Sequence, residues 1–492
     1  MKKNILLIYV ITCLFLGTCI TTSYAIDTVK KSSIQISNGN TLYVGGTGEG
    51  NYSKIQDAID NASEGDTIFV YNGTYFEYIK IDKSINLIGE NKDTVIINGI
   101  NEYYDVIYIE EVNNCTISGF TIQNSGYNDQ GIELNEACNN IIYDNIIKNN
   151  YLGIMLNYKC NNNSIYDNYF INNGLYIWNS YQNIVSNNYV NGKPLIYLES
   201  NYNKVIEDDA GQIILVDCNN ITIRNQDISN ASLAIELFQT DNCSIYNNIL
   251  HSNIHGLYLQ YSDYNNIYEN SFNGNYVGLG LFDFSDYNTV IDTEISNNTG
   301  CGVAFDHSQY NTIKGNIIEN NGFIDPSYYV GGINFGLHAR NNNIINNYIS
   351  NNYNGIVEIT GYRNYISKNR IMNNANNGIF LSDWSSNTEI VFNHIEGNGN
   401  FGIYIEESQH KISNNNFINN TKNIFFEYLL FDGNKVRWSG NYYDDYKGFG
   451  FKLIWGKMRY EFGQSHGYPI WSGSFAWFNI DWNPAKEPYD IL

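Results

Sequence analysis

The chain has 492 residues, with 50 Asp+Glu against 27 Lys+Arg, a formal net charge of −23 and 43 % hydrophobic residues. The acidity excludes an electrostatic footprint for duplex nucleic acid, and the hydrophobic content excludes a disordered chain. With 83 Asn spread evenly, 43 Tyr and only 5 Pro, the composition points to one long repetitive body and not to the several globular domains expected at this length.

Residues 1–25 have the form of a secretory signal. Lys2 and Lys3 give a positive start, Ile5 to Ile20 is apolar, and Ser23-Tyr24-Ala25 supplies small residues at a cleavage point. An uncleaved anchor and a lipoprotein site at Leu16-Gly17-Thr18-Cys19 are the alternatives. No second apolar run of spanning length follows, so the mature chain is expected to have no membrane span and to be secreted, periplasmic or on the cell surface. Six mature cysteines remain: Cys115, Cys138, Cys160, Cys218, Cys243 and Cys301. Their spacings are not those of a zinc site. Cys138 with Cys160, or Cys218 with Cys243, could bridge adjacent repeats, and buried free thiols fit equally well.

Residues 26–105 are read as an N-terminal cap and first coils. Ile55, Ala58, Ile59 and Ala62 form an amphipathic helical stripe, followed by a strand at Gly65-Asp-Thr-Ile-Phe-Val70 and a turn at Gly73-Thr-Tyr75. The helix is expected to cover the mouth of a barrel. Residues 106–425 then repeat a phrase: Gly-Ile/Leu-x-Leu, a polar turn, Asn-x-Ile-x-x-Asn-x-Ile, then Asn-Asn-x-x-Gly. Asn140-Ile-Ile142-Tyr-Asp-Asn145 and Asn265-Asn-Ile267-Tyr-Glu-Asn270 are two copies. The second Asn recurs at positions such as Asn168, Asn188, Asn225, Asn248, Asn316, Asn347, Asn369, Asn393 and Asn415, with Asp208 and Thr293 standing in at two turns. Steps of roughly 20–24 residues are a solenoid period. Apolar runs of three to five residues with period 2 are short strands, and only stacked coils can bury their apolar faces. Asn suits the corners, where it tolerates the left-handed conformation and can form ladders from coil to coil. The fold class read from this is all-β: a single-stranded parallel β-helix. From residue 426 the Asn repeat gives way to an aromatic tail, with Trp438, Trp455, Trp471, Trp477 and Trp482, read as a C-terminal cap over 426–492.

The stretch Tyr52-Ser-Lys-Ile-Gln-Asp-Ala-Ile59 through Tyr75, with the coils after it and Trp438-Ser-Gly-Asn-Tyr-Tyr-Asp-Asp-Tyr446, resembles pectin-lyase-like right-handed parallel β-helix proteins. Within them it most resembles the NosD-type (periplasmic copper-binding) repeat proteins. The resemblance implies the fold and leaves the function open, because this fold hosts lyases, hydrolases, epimerases and non-catalytic surface proteins. The polygalacturonase motifs are incomplete: Asp208-Asp209 stands alone and His255-Gly256 lacks its leading Gly. The Asp-Pro-His-Asp signature of alginate epimerases is absent. Copper handling wants soft clusters, yet Met155, Met372 and Met458 are far apart and there is no His-x-His.

Alignment of the coils on the Asn positions brings several polar residues into outward register. Gln260, Asp283 and Asp306 share one position, Asp263 and Asp286 another with Arg340 one coil beyond Gln309, and His307 and His338 a third. Coils about 4.8 Å apart would make these one patch. The step from Asn316 to Asn347 is 31 residues, and its excess, with Phe323, Tyr328 and Tyr329, reads as a loop beside the patch. Asp283, Asp306, His307, His338 and Arg340 are therefore the catalytic candidates. Gln260, Asp263, Asp286, Phe323, Tyr328 and Tyr329 are the binding candidates, with Ca²⁺ the one cofactor the carboxylates could hold. Outward Tyr143, Tyr166, Tyr246 and Tyr268 could stack on sugars or merely flank strands. The expected function is a non-catalytic, exported β-helix protein that binds carbohydrate or a glycoprotein surface partner. A lyase or hydrolase of acidic polysaccharide is the first alternative, and a NosD-type metal-handling accessory the second.

Overall fold

In this computed structural model the described residues are 39–99, 104–323, 330–406, 409–430, 436–465 and 468–491, with backbone alone over 461–465 and 468–471. Residues 1–25, expected to be a secretory signal, and the loop residues Tyr328 and Tyr329 lie outside them.

The unit of the structure is a three-sided coil. One coil runs through the strands Ser244–Tyr246, Ile249–His251 and His255–Gln260. Ile245, Leu250, Leu257 and Leu259 point inward and are fully buried. Because the pleat alternates sides, each strand contributes its other residues to the surface. The next coil stacks in parallel register, Ile245 on Ile267 and Leu257 on Leu279. The same residue type therefore meets itself along the axis, and no single coil has a core of its own. The first sheet has 7 strands up to Ser186 and 11 from Val205 onward; the third has 5 up to Trp178 and resumes at Lys193. Among the described residues the single helix is Ile55–Asn61, which lays Ile55, Ala58 and Ile59 against the first coils. The Glu77 carboxylate accepts the N–H groups of Ile55 (2.8 Å) and Gln56 (3.0 Å) at its start, and Lys83 Nζ donates to the carbonyls of Ile59, Asp60 and Ala62 at its end. Both charges match the helix dipole.

Three ladders of buried polar side chains run along the corners. At the second corner Asn248, Asn270, Thr293, Asn316, Asn347 and Asn369 are in file. Each Asn Oδ1 accepts the backbone N–H of the rung before it, as Asn316 does from Thr293 at 2.9 Å, and Nδ2 donates back to a carbonyl, as Asn316 does to Val290 at 3.0 Å. Corners bury backbone groups that no strand can pair, and the primary amide satisfies a donor and an acceptor at once. The left-handed residue is the one before the rung: Asp144, Asn247, Glu269, Lys368 and Phe392 all have φ between 53° and 57°. The rung in the coil expected to use Asn225 is therefore Gln226, and Asn225 has φ 58°. Asp208 forms no rung; it is exposed.

The stack is interrupted once. Asn191 and Gly192 have φ of 50° and 83°, and the chain doubles back so that Val190 pairs antiparallel with Lys193. An Asn-Gly pair favours this two-residue hairpin. The strand Leu175–Trp178 thereby loses its successor. Its edge is covered by side chains from later coils: Gln212 accepts the Leu175 N–H at 3.0 Å and donates to its carbonyl at 2.6 Å, and the Ile177 N–H points to the Glu236 carboxylate at 3.3 Å. Past residue 425 one further coil follows, with Trp438 on Ile412 and Asn441 as a rung, before the long hairpin Lys452–Ser465/Tyr468–Asp481.

Candidate functional site

The residues expected to form a patch fall on the turn that follows each third strand, and they form two rows. In the first, Gln260 Nε2 donates to Asp283 Oδ2 at 2.6 Å, and Asp306 Oδ1 meets His307 Nδ1 at 2.6 Å. The His307 and His338 rings lie 5.1 Å apart. Burial raises Asp306 above the usual carboxylate range; the His307 contact opposes this and the Asp283 charge adds to it. In the second row, Asp241, Asp263 and Asp286 each accept the backbone N–H of the next position, at 2.7, 2.7 and 2.8 Å, ending on Gln309. Arg340 belongs to this second row: its Nε donates to Gln309 at 2.8 Å, and its charge lowers Asp286 against the larger effect of burial. The carboxylate–imidazole pair Asp306–His307 is therefore formed, while Arg340 is held by Gln309. A file of rings, Tyr261, Phe284 and His307, at 6.3 and 5.9 Å, runs alongside.

The surface of the third sheet itself holds groups that the repeat pattern did not single out. Along its first run Lys80, Tyr108, Glu133, Met155 and Tyr176 stand in register. The Tyr176 hydroxyl then meets that of Tyr258 at 3.2 Å across the interruption. Burial pushes Glu236 well above the ordinary carboxylate range, and burial, followed by the charges of Glu236, Asp283 and Asp306, raises Tyr258. His255, packed on Tyr258 at 5.0 Å, is lowered to about 4 by burial. At the far end Asp105 is raised to about 8, first by burial and then by Glu133 and Asp129. Glu236 and Tyr258 escaped notice because they sit inside apolar strands, and Asp105 because it precedes the repeats. The signal for Glu236 was one charge within Leu233-Ala-Ile-Glu-Leu-Phe238, where a strand buried on both sides should have none.

The other expectations resolve as follows. Phe323 sits half exposed at the corner before the third strand, with its ring edge-on to Tyr353 at 6.2 Å, and so lies at the end of the third strand opposite the Asp306 turn. Tyr143 stacks on Tyr166 and Tyr246 on Tyr268, with interplanar angles of 12° and 11°. Each ring covers one face of its partner, and Arg224 donates to the Tyr246 hydroxyl at 3.1 Å. All six mature cysteines are free thiols, five of them buried. Burial pushes Cys115 up to about 11 and Cys160, Cys243 and Cys301 up to about 12. Among the described residues no three His, Cys, Asp or Glu side chains come together as a metal ion would require.

The family model for the right handed beta helix region matches residues 211–363 and 329–465, which together make up more than half of the chain. The chain belongs to the right-handed β-helix family. A second model, the periplasmic copper-binding protein (NosD), matches residues 59–208 of this β-helix protein. That stretch contains no His, and its thiols, the buried Cys115 and Cys160 and the partly exposed Cys138, all bond to backbone carbonyls. The donor set does not fit copper. Among solved structures, the A-module of the mannuronan C-5 epimerase AlgE4 of Azotobacter vinelandii is similar at 14% identity, over 81% of this chain and 100% of that one, with a TM-score of 0.31. The catalytic unit of the GH87 α-1,3-glucanase of Streptomyces thermodiastaticus is similar at 12% identity, over 82% of this chain and 69% of that one, with a TM-score of 0.38. No curated protein matches the β-helix sequence.

Proposed function

We propose that this β-helix is an exported protein that binds a polysaccharide, or the glycan of a surface partner, along the outward face of its third sheet without transforming it. One observation supports the reading. Among the described residues, every carboxyl raised above its ordinary range, apart from Glu358 inside the core, lies on the outward side of a third strand or in the segments flanking it: Asp105, Asp129, Glu236, Asp263, Asp286, Asp306 and Glu406. Perturbed carboxyls beside Tyr and His rings suit a ligand with hydroxyl edges and apolar ring faces. A glycan array with the full chain, with and without Ca²⁺, tests it. Binding should weaken at least tenfold in Asp283→Asn and His307→Ala, and equal binding by both variants would sink the proposal.

The contact of Asp306 with His307 at 2.6 Å favours a second reading, a lyase or hydrolase of acidic polysaccharide in which the imidazole serves as proton acceptor. Its test is release of unsaturated products or new reducing ends from any bound glycan. Product formation that disappears in His307→Ala would replace the first reading by this one.

A further inference from the structure

A cleft of about 670 Å³ lies near the C-terminal end of the stack, lined by 419–425, 443–445 and 452–455. The cleft exists because a ladder stops. Asn398 Nδ2 donates to Asn420 Oδ1 at 2.8 Å, and Asn420 is the last rung of the third corner. After Asp445 the chain leaves the coil through Gly448 and Gly450, with φ of 77° and 75°, and returns as the hairpin strand that begins at Lys452. The place where one more rung would sit is left open.

Its walls are chemically mixed. Trp455 is 58% exposed and packs edge-on to Phe478 at 5.8 Å, which leaves a ring face free. Opposite it, Asp444 is fully engaged, accepting the Asn419 N–H at 2.6 Å and Asn423 Nδ2 at 2.9 Å. Asp445 is paired with Lys452 at 2.5 Å and takes a second bond from Asn423 at 3.2 Å. Lys422 differs. Its ammonium stands 5.6 and 5.4 Å from the stacked rings of Phe401 and Phe425, and among the described residues no carboxylate pairs with it. In a chain of net charge −23, an ammonium left to aromatic faces inside a cleft is a place for an incoming anion. An exposed indole face, an available cation and a rim of Asn, Thr and Asp groups together suit one ring that is apolar on its face, hydroxylated on its edge and anionic at one point.

We infer that this cleft binds a sugar residue carrying a carboxylate, a hexuronate within a glycan, with its ring on Trp455, its carboxylate on Lys422 and its hydroxyls on Asp445 and Asn423. The cleft is walled by Lys422–Leu429 and Lys452–Ser465, which are strands of the third sheet, so the inference rests on the third-sheet reading and names a ligand class for one end of that face. Calorimetric titration of the full chain with a uronate tetrasaccharide, and with a neutral glucose tetrasaccharide as control, tests it. The uronate should bind at least tenfold more tightly than the control. Lys422→Gln should abolish that preference and Trp455→Ala should weaken both ligands, with Asp283 and His307 unaltered in both variants so that a loss here is separate from a failure of the earlier patch. Should Trp455→Ala fail to fold, Lys422→Gln, on an exposed side chain, decides the matter. No uronate binding, equal affinity for the two sugars, or a Lys422→Gln variant that keeps its preference would each overturn the inference.

Discussion

The fully buried Asn rungs carry the corners. Asn316 accepts from Thr293 at 2.9 Å and donates to Val290 and Asn347, each at 3.0 Å. Asn316→Ala leaves the Thr293 N–H and the Val290 carbonyl buried without partners, at about 3 kcal/mol by the usual cost of such groups. Asn316→Thr should cost less than half of that, because Thr293 already serves as a rung by accepting the Asn270 N–H through Oγ1. Equilibrium denaturation that found the two variants equal would show that shape and not hydrogen bonding matters there. Glu358 is the other telling residue. It stands in register with Phe335 and Leu381, inside the core, and Thr388 Oγ1 donates to it at 2.6 Å. Burial raises it from 4.5 to about 7. A raised acid is protonated in the fold and ionises in the unfolded chain once pH passes its ordinary value. Its contribution is therefore complete below about pH 4.5 and lost as pH rises to about 7. Glu358→Gln should flatten the stability profile in that window, measured by denaturation midpoints at several pH values.

At the scale of elements, the interruption at 191–192 matters most. It leaves the edge of Leu175–Trp178 exposed to any passing strand, and Gln212 closes it with a two-way amide contact. Gln212→Ala should raise amide exchange in 174–178 at least tenfold while leaving the strand Ile249–His251 protected. Unchanged exchange, read by mass spectrometry, would mean that Glu236 and Ser232 suffice. The strands and the corner spacing were legible from sequence because Ile alternates with polar residues and Asn returns at a fixed offset. The interruption was not, although Asn191-Gly192 is a strong hairpin signal: its step still resembles a repeat. Choosing Asn225 over Gln226 had a related cause. Both are amides, and only backbone geometry shows which one turns the corner and which fills it. The two rows of the patch, Arg340 in the second included, were legible through register alone; that the Gln309 side chain holds Arg340 was not, since no spacing reveals a side-chain contact.

For the whole molecule the ends decide whether stacking terminates. The second ladder does not finish on an Asn. The Asp481 carboxylate, contributed by the far strand of the hairpin, accepts the N–H groups of Gly440 (3.3 Å) and Asn441 (3.1 Å), and Tyr443 Oη at 3.3 Å. Asp481→Ala should loosen the final coil, seen as rapid proteolysis near Trp438 with the earlier coils intact, whereas a resistant variant would show that apolar packing alone closes the end. The sequence by itself determined the coil, its period, its inward apolar file and its Asn corners, because these depend on local alternation and on like residues meeting in register. Only the tertiary structure decided where the stack breaks, which carboxyls are lifted by burial and which surfaces converge. Those depend on contacts between coils far apart in the chain, such as Tyr176 with Tyr258 and Asn441 with Asp481, which no repeat unit encodes.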